Sequence, residues 1–269
     1  APAAADVKRI LAALKAAHHP VILAGRCSRT IASWNERVAL AEALNAQVIS
    51  QLKIGAMFPT DHPLHAGQSG GTAAKSALRE ADVILDLDSL DLGGILKSAG
   101  GGKPLGATVI SASMDRYVHG GWSMDYQMLP ALDINLAVPP DALVTALLEA
   151  LGNPKPKPAP RNGAAPARRD NAANGSTAGS EIGIDTFSSA VDAALAGYEV
   201  CYTRLPQGVD GSEFTFRHPL DYVGHSGGGG VGSGLGVSIG AALALRGTPR
   251  LPVCLTGDGD FLMGNTALW

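Results

Sequence analysis

Residues 251–264 read LPVCLTGDGDFLMG, and this stretch decides the fold class of the chain. The apolar run at 251–255 predicts a buried strand, and Gly257, Asp258 and Gly259 turn the chain toward a following helix. A strand that passes through a glycine turn into a helix is the building unit of parallel α/β sheets, and its turn is a common ligand site. The stretch therefore predicts an α/β fold with a binding site around Asp258.

Helical and extended patterns alternate through the first 151 residues. Apolar side chains recur at helical spacing from Val7 to Leu14, and the apolar PVILAG that follows ends in glycine, as a buried strand does. The alternation continues with helical SWNERVALAEALNA, TAAKSALREA and PDALVTALLEAL, and with extended QVIS, DVILDLD and ATVIS. It predicts a Rossmann-like central α/β domain over 1–151, with helices covering a parallel sheet.

A change of composition separates this domain from the rest of the chain. Residues 152–180 are rich in Pro, Ala, Gly and Asn, which predicts a flexible linker. IDTFSSAVDAALA, EVCYT, GVSIGAALAL and LPVCLT then resume the alternation, and they predict a second α/β unit over 181–269. A complete sheet of this kind needs more strands, and the chain begins without Met, so we expect a piece of a longer protein.

Composition narrows the class of partner. The chain has 269 residues, 46% hydrophobic and 5% aromatic, with 34 glycines and a net charge of −3, so it favours neither nucleic acid nor an anionic membrane. No apolar stretch approaches the ~20 residues of a membrane helix. The start lacks a signal-peptide pattern, and the three cysteines lie far apart. We expect a cytoplasmic protein with a small-molecule ligand.

Two glycine clusters, at 226–240 and 256–264, lie one strand–helix unit apart. One opens a helix and the other closes a buried strand, so together they predict a diphosphate site more specifically than either alone. Gly257 and Gly259 allow the backbone to approach the diphosphate closely. Asp258 would repel phosphate unless a divalent cation lay between them, and Mg²⁺ commonly takes one or two carboxylates plus phosphate oxygens. The alternative is that Asp258 caps the following helix.

The residues Gly257, Asp258, Gly259 and Asp260 resemble the opening of the thiamine diphosphate signature, a GDG that ends in a pair of asparagines further along. The order of an α/β domain, a linker, a glycine-rich turn and GDG is similar to acetolactate synthase, benzoylformate decarboxylase and their relatives. In the central domain, MFPTDHPLHAGQSGGTAAKSALREADVIL resembles a segment of the same family. The resemblance covers most of the chain outside the linker.

This resemblance implies roles for individual residues. Asp258 would bind Mg²⁺, Gly229 would offer its carbonyl to the aminopyrimidine of the cofactor, and Val231 would hold the cofactor bent. The diphosphate would be lined by Gly257, Gly259 and Asp260. The family's asparagine ligand would lie beyond the last residue, because Asn265 is too close to Asp258. The catalytic glutamate belongs to an amino-terminal domain, so no catalytic residue is assigned and the chain alone is not expected to catalyse.

The implied activity is that of a thiamine diphosphate- and Mg²⁺-dependent decarboxylase or carboligase acting on small 2-oxo acids, similar to acetolactate synthase. Residues 181–269 would form the first part of its diphosphate-binding domain, and the complete protein would be a homodimer or homotetramer. The alternatives are a non-catalytic nucleotide- or CoA-binding module and a paralogue that has lost its cofactor. A Rossmann dehydrogenase is disfavoured, because Gly25 stands alone where three glycines are needed.

Some relatives bind FAD or ADP in the central domain, and Gly67, Gly70 and Gly71 would line such a groove. DLDSLDLGG stands where FAD-containing relatives carry an arginine–aspartate cluster, which argues against retained FAD. His62 and His65 are three residues apart, but Pro63 lies between them, and we interpret them as loop residues rather than metal ligands. His218 and His225 flank the first glycine cluster, where an active-site acid or base would lie, but the sequence assigns neither a catalytic role.

Overall fold

The computed structural model describes residues 1–51, 53–115, 128–157, 182–206, 208–209, 211–224 and 231–269. Up to residue 150 the elements, in chain order, are α1 Ala4–Ala16, β1 Pro20–Ala24, α2 Ile31–Leu44, β2 Gln47–Ser50, β3 His65–Gln68, α3 Thr72–Glu80, β4 Val83–Leu87, α4 Leu92–Ala99, β5 Thr108–Ala112, β6 Ile134–Leu136 and α5 Pro140–Ala150. They are followed by α6 Ile184–Ala194, β7 Glu199–Arg204, α7 Ser233–Ala244, β8 Arg250–Cys254, α8 Asp258–Gly264 and a 3₁₀ turn, Asn265–Leu268.

The first sheet has six parallel strands in the order β3-β2-β1-β4-β5-β6. One face packs against the apolar sides of α1, α2 and α5, and the other packs against α3 and α4. β1 and β4 are buried along their whole length, as expected for strands covered on both faces. The predicted α/β class, with a Rossmann-like parallel sheet, is confirmed.

Three elements of this sheet and its helices were not predicted. β3 reads His-Ala-Gly-Gln, β6 is three residues long, and α4 carries two glycines in LGGILKSA. β3 and β6 are too short for a periodic pattern to identify them locally, whereas α4 places Leu92, Ile95, Leu96 and Ala99 at helical spacing that its two glycines interrupt. β3 and β6 form because β2 and β5 offer them ladder partners at the two edges of the sheet.

The second unit places β7 and β8 side by side in parallel, with α7 as the helix that connects them. α7 packs against both strands and against α8. This strand–helix–strand arrangement is the one predicted from the second set of patterns. Of the predicted linker, the structure describes 152–157, and the remainder lies outside the described residues. The domain boundaries stay a prediction.

A loop at 211–224 joins the second unit to the central domain. Its Phe216 and Tyr222 rings stack with centroids 5.4 Å apart and belong to the same buried cluster as Met57 and Phe58. The main chain adds hydrogen bonds of 2.9 Å from Ala56 N to Tyr222 O and from Thr60 N to Phe216 O. The two units therefore share one hydrophobic core at this junction.

Arg29 connects the two units at the same junction. Its Nη2 donates to the carbonyl oxygens of Ile54 at 2.8 Å and Val223 at 2.6 Å, so one guanidinium bonds both units. Burial lowers the pKa of Arg29, although not enough to discharge a guanidinium near neutral pH. Next to it, Gly55 and Gly224 bring the two backbones together, and both have positive φ angles, of 132° and 69°.

Asp86 is a buried carboxylate at the centre of the first sheet. It accepts hydrogen bonds from Ser89 N at 2.9 Å and Ser111 Oγ at 2.7 Å. Burial, with a smaller contribution from Asp88, raises the pKa of Asp86 from 3.8 to about 6. The folded state therefore holds this proton more tightly than the unfolded chain, and its contribution to stability is lost as the pH rises from about 4 to about 6.

We expect Asp86→Asn to be more stable than the wild type at pH 7 and to lose this advantage near pH 4. The amide keeps both hydrogen bonds, because the Ser111 hydroxyl can accept as well as donate. The difference in free energy of unfolding should change by about 1–2 kcal/mol across that range. Urea unfolding at a series of pH values measures it.

Asp82→Asn is a matched control, for which we expect a change in stability of opposite sign. Burial raises the pKa of Asp82, but the amides of His18 and His19, at 2.5 and 3.0 Å, outweigh it and hold that pKa below its ordinary value. This variant should lose stability at neutral pH and approach the wild type in acid. A pH-independent effect of Asp86→Asn would contradict the assignment.

Candidate functional site

Asp258 is the first residue of α8, directly beyond the carboxyl end of β8. The position before the helix is held by Gly257, so Asp258 does not occupy the N-cap site of the alternative interpretation. Its Oδ1 accepts a hydrogen bond of 2.9 Å from the amide of the next residue, Gly259. The carboxylate is exposed and has a free side for a cation.

The two glycines around Asp258 are not required by the packing of the described residues. Gly257 has φ −75° and ψ 158°, an extended conformation open to any residue, and Gly259 is not among the glycines with positive φ. A Cβ built on either would meet no described atom within 4 Å. Among the described residues nothing obstructs the space beside either glycine, as a closely approaching diphosphate would need.

The first glycine cluster leads into α7, and the start of α7 lies next to α8 and its preceding turn. Val231 is 47% exposed and precedes Gly232, whose φ of 96° requires a glycine. A Cβ on Gly264 would lie 2.4 Å from the carbonyl oxygen of Gly232, so α7 and α8 touch through glycines. Gly229 and His225, both singled out in the sequence, lie outside the described residues.

Asp260, which the resemblance predicts to line the diphosphate with Gly257 and Gly259, points away from Asp258 into the protein. Residues two apart on a helix face roughly 200° from each other, because each residue turns the chain by about 100°. Asp260 is only 7% exposed, and it accepts hydrogen bonds from Gly232 N, from Thr256 Oγ1 at 3.0 Å and from Arg204 Nε at 3.3 Å. Burial raises the pKa of Asp260, but these donors and the Arg204 charge outweigh it and lower that pKa overall.

The structure thus brings Gly257, Asp258 and Gly259 together with the start of α7, where Val231 lies. Gly232 and Thr256 lie inside the two predicted glycine clusters but were given no individual role, and Arg204 was not predicted at all. Thr256 carried a usable signal, since it immediately precedes the GDG turn. Arg204 carried none, because its partner lies 56 positions away.

The histidines lie elsewhere in the fold. His65 is a buried residue of β3, not a loop residue, and its ring nitrogens lie 3.1 Å from Thr60 O and 3.2 Å from Ser50 Oγ. His62 lies in the preceding loop, 3.3 Å from Glu42. Burial and Arg250 lower the pKa of His218, whose Nδ1 accepts a hydrogen bond from Leu220 N. Within the described ranges, no cluster of three or more His, Cys, Asp or Glu side chains forms a metal site.

The strand order of the first sheet reverses between β1 and β4, and two ion pairs of Arg26 lie at the carboxyl ends of these strands. Arg26 donates to Asp88 at 2.9 Å and also to Asp115, and so bridges the loops after β1, β4 and β5. A Cβ on Gly25 would lie 2.3 Å from the Asp88 carbonyl oxygen, so the chain's own packing requires this glycine. Gly67, Gly70 and Gly71 lie in β3 and before α3, at the edge of the sheet.

Together these features define a class of protein. Two α/β units are joined by a packed loop, and the strand β8 of the second unit leads into a turn with an exposed carboxylate between two glycines that no described residue contacts closely. Such turns at the carboxyl ends of parallel strands are typical of diphosphate-binding α/β proteins.

Two family models match this chain. The thiamine pyrophosphate enzyme central domain matches residues 7–87, and the thiamine pyrophosphate enzyme C-terminal TPP binding domain matches residues 208–269. The chain belongs to the thiamine diphosphate-dependent enzymes. A curated relative is the sulfoacetaldehyde acetyltransferase of Rhodobacter capsulatus, 39% identical over 90 residues, which are 32% of this chain and 15% of the relative.

Solved structures share the fold of this chain. A protein from Mycobacterium smegmatis described as a thiamin diphosphate-dependent enzyme superposes with a TM-score of 0.70 at 20% identity, over 100% of this chain and 50% of its own. The 4-hydroxybenzoylformate decarboxylase of Rhodococcus jostii RHA1 gives 0.66 at 20% identity, over 100% and 48%. The benzoylformate decarboxylase of Polynucleobacter necessarius gives 0.65 at 18%, over 99% and 49%. The chain therefore spans about half the length of these structures.

No helix in the described part of the chain combines the length and apolarity needed to cross a membrane.

Proposed function

We propose that this protein binds thiamine diphosphate through Mg²⁺ and acts on small 2-oxo acids as a decarboxylase or carboligase. The observation that carries the proposal is the turn at Gly257, Asp258 and Gly259. An exposed carboxylate stands there between two glycines for which neither backbone conformation nor packing of the described residues gives a reason. A diphosphate bound through a metal ion would explain both features, because the metal needs the carboxylate and the phosphates need close approach to the backbone.

The residues present fit that cofactor. Asp258 would supply one carboxylate to Mg²⁺, which commonly binds one or two carboxylates together with phosphate oxygens. The amides of the turn would face the diphosphate, and the exposed Val231 would contact the cofactor's rings. When bound, thiamine diphosphate supplies the carbanion chemistry, while the protein binds and orients it.

Two substrate classes follow from the relatives. The structural neighbours named as benzoylformate-type decarboxylases support a 2-oxo acid substrate, as does the resemblance to acetolactate synthase. Sulfoacetaldehyde is the second candidate, because the acetyltransferase named for it shares 39% identity over its 90 matched residues. Turnover of sulfoacetaldehyde, pyruvate and benzoylformate by the complete gene product would separate them.

We also propose that the central domain retains no FAD. The Arg26 bridge to Asp88 and Asp115 lies across the crevice that doubly wound sheets commonly use for nucleotides, and it supports this proposal. Assembly into a dimer or tetramer and a cytoplasmic location stay predictions from the resemblance.

Thiamine diphosphate binding to the complete gene product should require Mg²⁺. We expect calorimetry to show at least about tenfold weaker binding after chelation by EDTA, because the carboxylate of Asp258 then faces the phosphates without a cation between them. Thiamine without phosphates is the control and should bind weakly with or without Mg²⁺. Equal affinity for thiamine diphosphate in Mg²⁺ and EDTA would contradict the proposal.

A further inference from the structure

The carboxylate of Asp260 lies where four elements of the second unit meet. Arg204 ends β7, Thr256 follows β8, Gly232 precedes α7, and Asp260 itself belongs to α8. The bond from Arg204 Nε, at 3.3 Å, joins two side chains that are 10% and 8% exposed. This nearly buried ion pair also receives hydrogen bonds from a hydroxyl and a main-chain amide.

Close packing holds this junction from the other side. A Cβ on Gly234 would lie 2.7 Å from Asp260 Oδ2 and 3.2 Å from Arg204 Nε. A Cβ on Gly232 would lie 3.0 Å from the Cβ of Met263. Side chains in place of these glycines would collide with Asp260 and Met263, so the close approach of α7 to α8 requires glycine at both positions. A shift of Asp260 would move both helix starts relative to each other.

We propose that Asp260 is a positioning residue, whose side chain holds the start of α7 in register with the Gly257–Asp258–Gly259 turn and does not itself contact the ligand. This inference rests on the proposed binding of thiamine diphosphate. Both carboxylate oxygens are engaged by the protein, Oδ1 by Gly232 and Oδ2 by Thr256 and Arg204. The neighbouring carboxylate that faces outward is that of Asp258.

The positioning role distinguishes Asp260 from Asp258, although the two aspartates look equivalent in the sequence GDGD. Asp258 would determine which metal the site accepts, since it would be a ligand. Asp260 would determine how well the two glycine turns fit the cofactor, whichever metal is present. The two roles give different signatures in binding experiments on the complete gene product, in which the affinity for thiamine diphosphate is measured separately with Mg²⁺ and with Mn²⁺.

Asp260→Asn should weaken thiamine diphosphate binding about fivefold, because an amide nitrogen would face donors and displace one helix start. The ratio of the affinities in Mg²⁺ and Mn²⁺ should stay at the wild-type value. Thr256→Val, which removes one hydrogen bond and keeps the side-chain shape, should weaken binding about twofold and decides the question if Asp260→Asn does not fold. Thr248→Val is the matched control, because Thr248 lies at the other end of β8 and bonds Leu245 O.

Measurements well below each variant's melting temperature separate positioning from stability alone. Unchanged affinity in a folded Asp260→Asn, or in Thr256→Val when the first variant does not fold, would overturn the positioning role and leave the proposed function intact. A changed ratio of the affinities in Mg²⁺ and Mn²⁺ would instead identify Asp260 as a metal ligand and would also overturn the positioning role. Absence of thiamine diphosphate binding by the wild type would overturn the proposed function, and the role of Asp260 with it.

Discussion

Replacing Asp258 by alanine is expected to weaken thiamine diphosphate binding in Mg²⁺ at least tenfold, about 1.4 kcal/mol or more. The variant loses a charged ligand of the cation that neutralises the diphosphate. The phosphate oxygens then lie beside the turn with less compensation. Because the Asp258 side chain is exposed and the N-cap position belongs to Gly257, the melting temperature of the cofactor-free protein should hardly change.

Asp185→Ala is the matched control for this experiment. Asp185 is likewise exposed and lies in the first turn of a helix, α6. It should leave the affinity for thiamine diphosphate unchanged, which separates a specific ligand from a general loss of negative charge. Unchanged cofactor affinity in Asp258→Ala, together with a lower melting temperature without cofactor, would show instead that Asp258 stabilises the helix.

Gly224→Ala is expected to lower the free energy of unfolding by about 3 kcal/mol or more. The φ angle of 69° is unfavourable for any residue with a Cβ, and that Cβ would lie 2.2 Å from the carbonyl carbon and oxygen of Ile54. The backbones of both units would have to separate, which would also weaken the Arg29 bonds to Ile54 and Val223. Urea unfolding followed by circular dichroism measures the loss.

Gly197→Ala isolates the backbone contribution to that loss. Gly197 has a φ of 93° but no described atom within 4 Å of its would-be Cβ. It should therefore cost about 1 kcal/mol, the cost of the left-handed conformation alone. Equal losses in the two variants would mean that the contact between the loop at 211–224 and the central domain contributes little to stability.

The local elements could be predicted because their signals lie within a few residues. The apolar spacing of Val7, Ile10, Leu11 and Leu14 matches the buried side of α1, and the short apolar runs became β1, β4 and β8. GDG after a strand likewise predicts a turn into a helix, and α8 begins there. In each case the side chains that decide the structure are neighbours in the chain, so periodicity and glycine placement suffice.

The direction of Asp260 could not be predicted in the same way. In the sequence it is the second aspartate of GDGD and looks like Asp258. Its burial depends on Arg204 and Gly232, which are 56 and 28 positions away. Helical geometry turns the two aspartates to opposite sides, but only the packed arrangement of β7, α7 and β8 decides which side is buried.

The sequence by itself determined the α/β class, most of the helices and strands, and the place of the exposed carboxylate in the Gly257–Asp258–Gly259 turn. The tertiary structure decided the edge strands β3 and β6, the junction held by Arg29 and Gly224, and the placement of Asp260 among its donors. Helix and strand periodicity arises from interactions between residues a few positions apart. The junction and the ion pair instead join residues far apart in the chain, and such contacts exist only after the chain has folded.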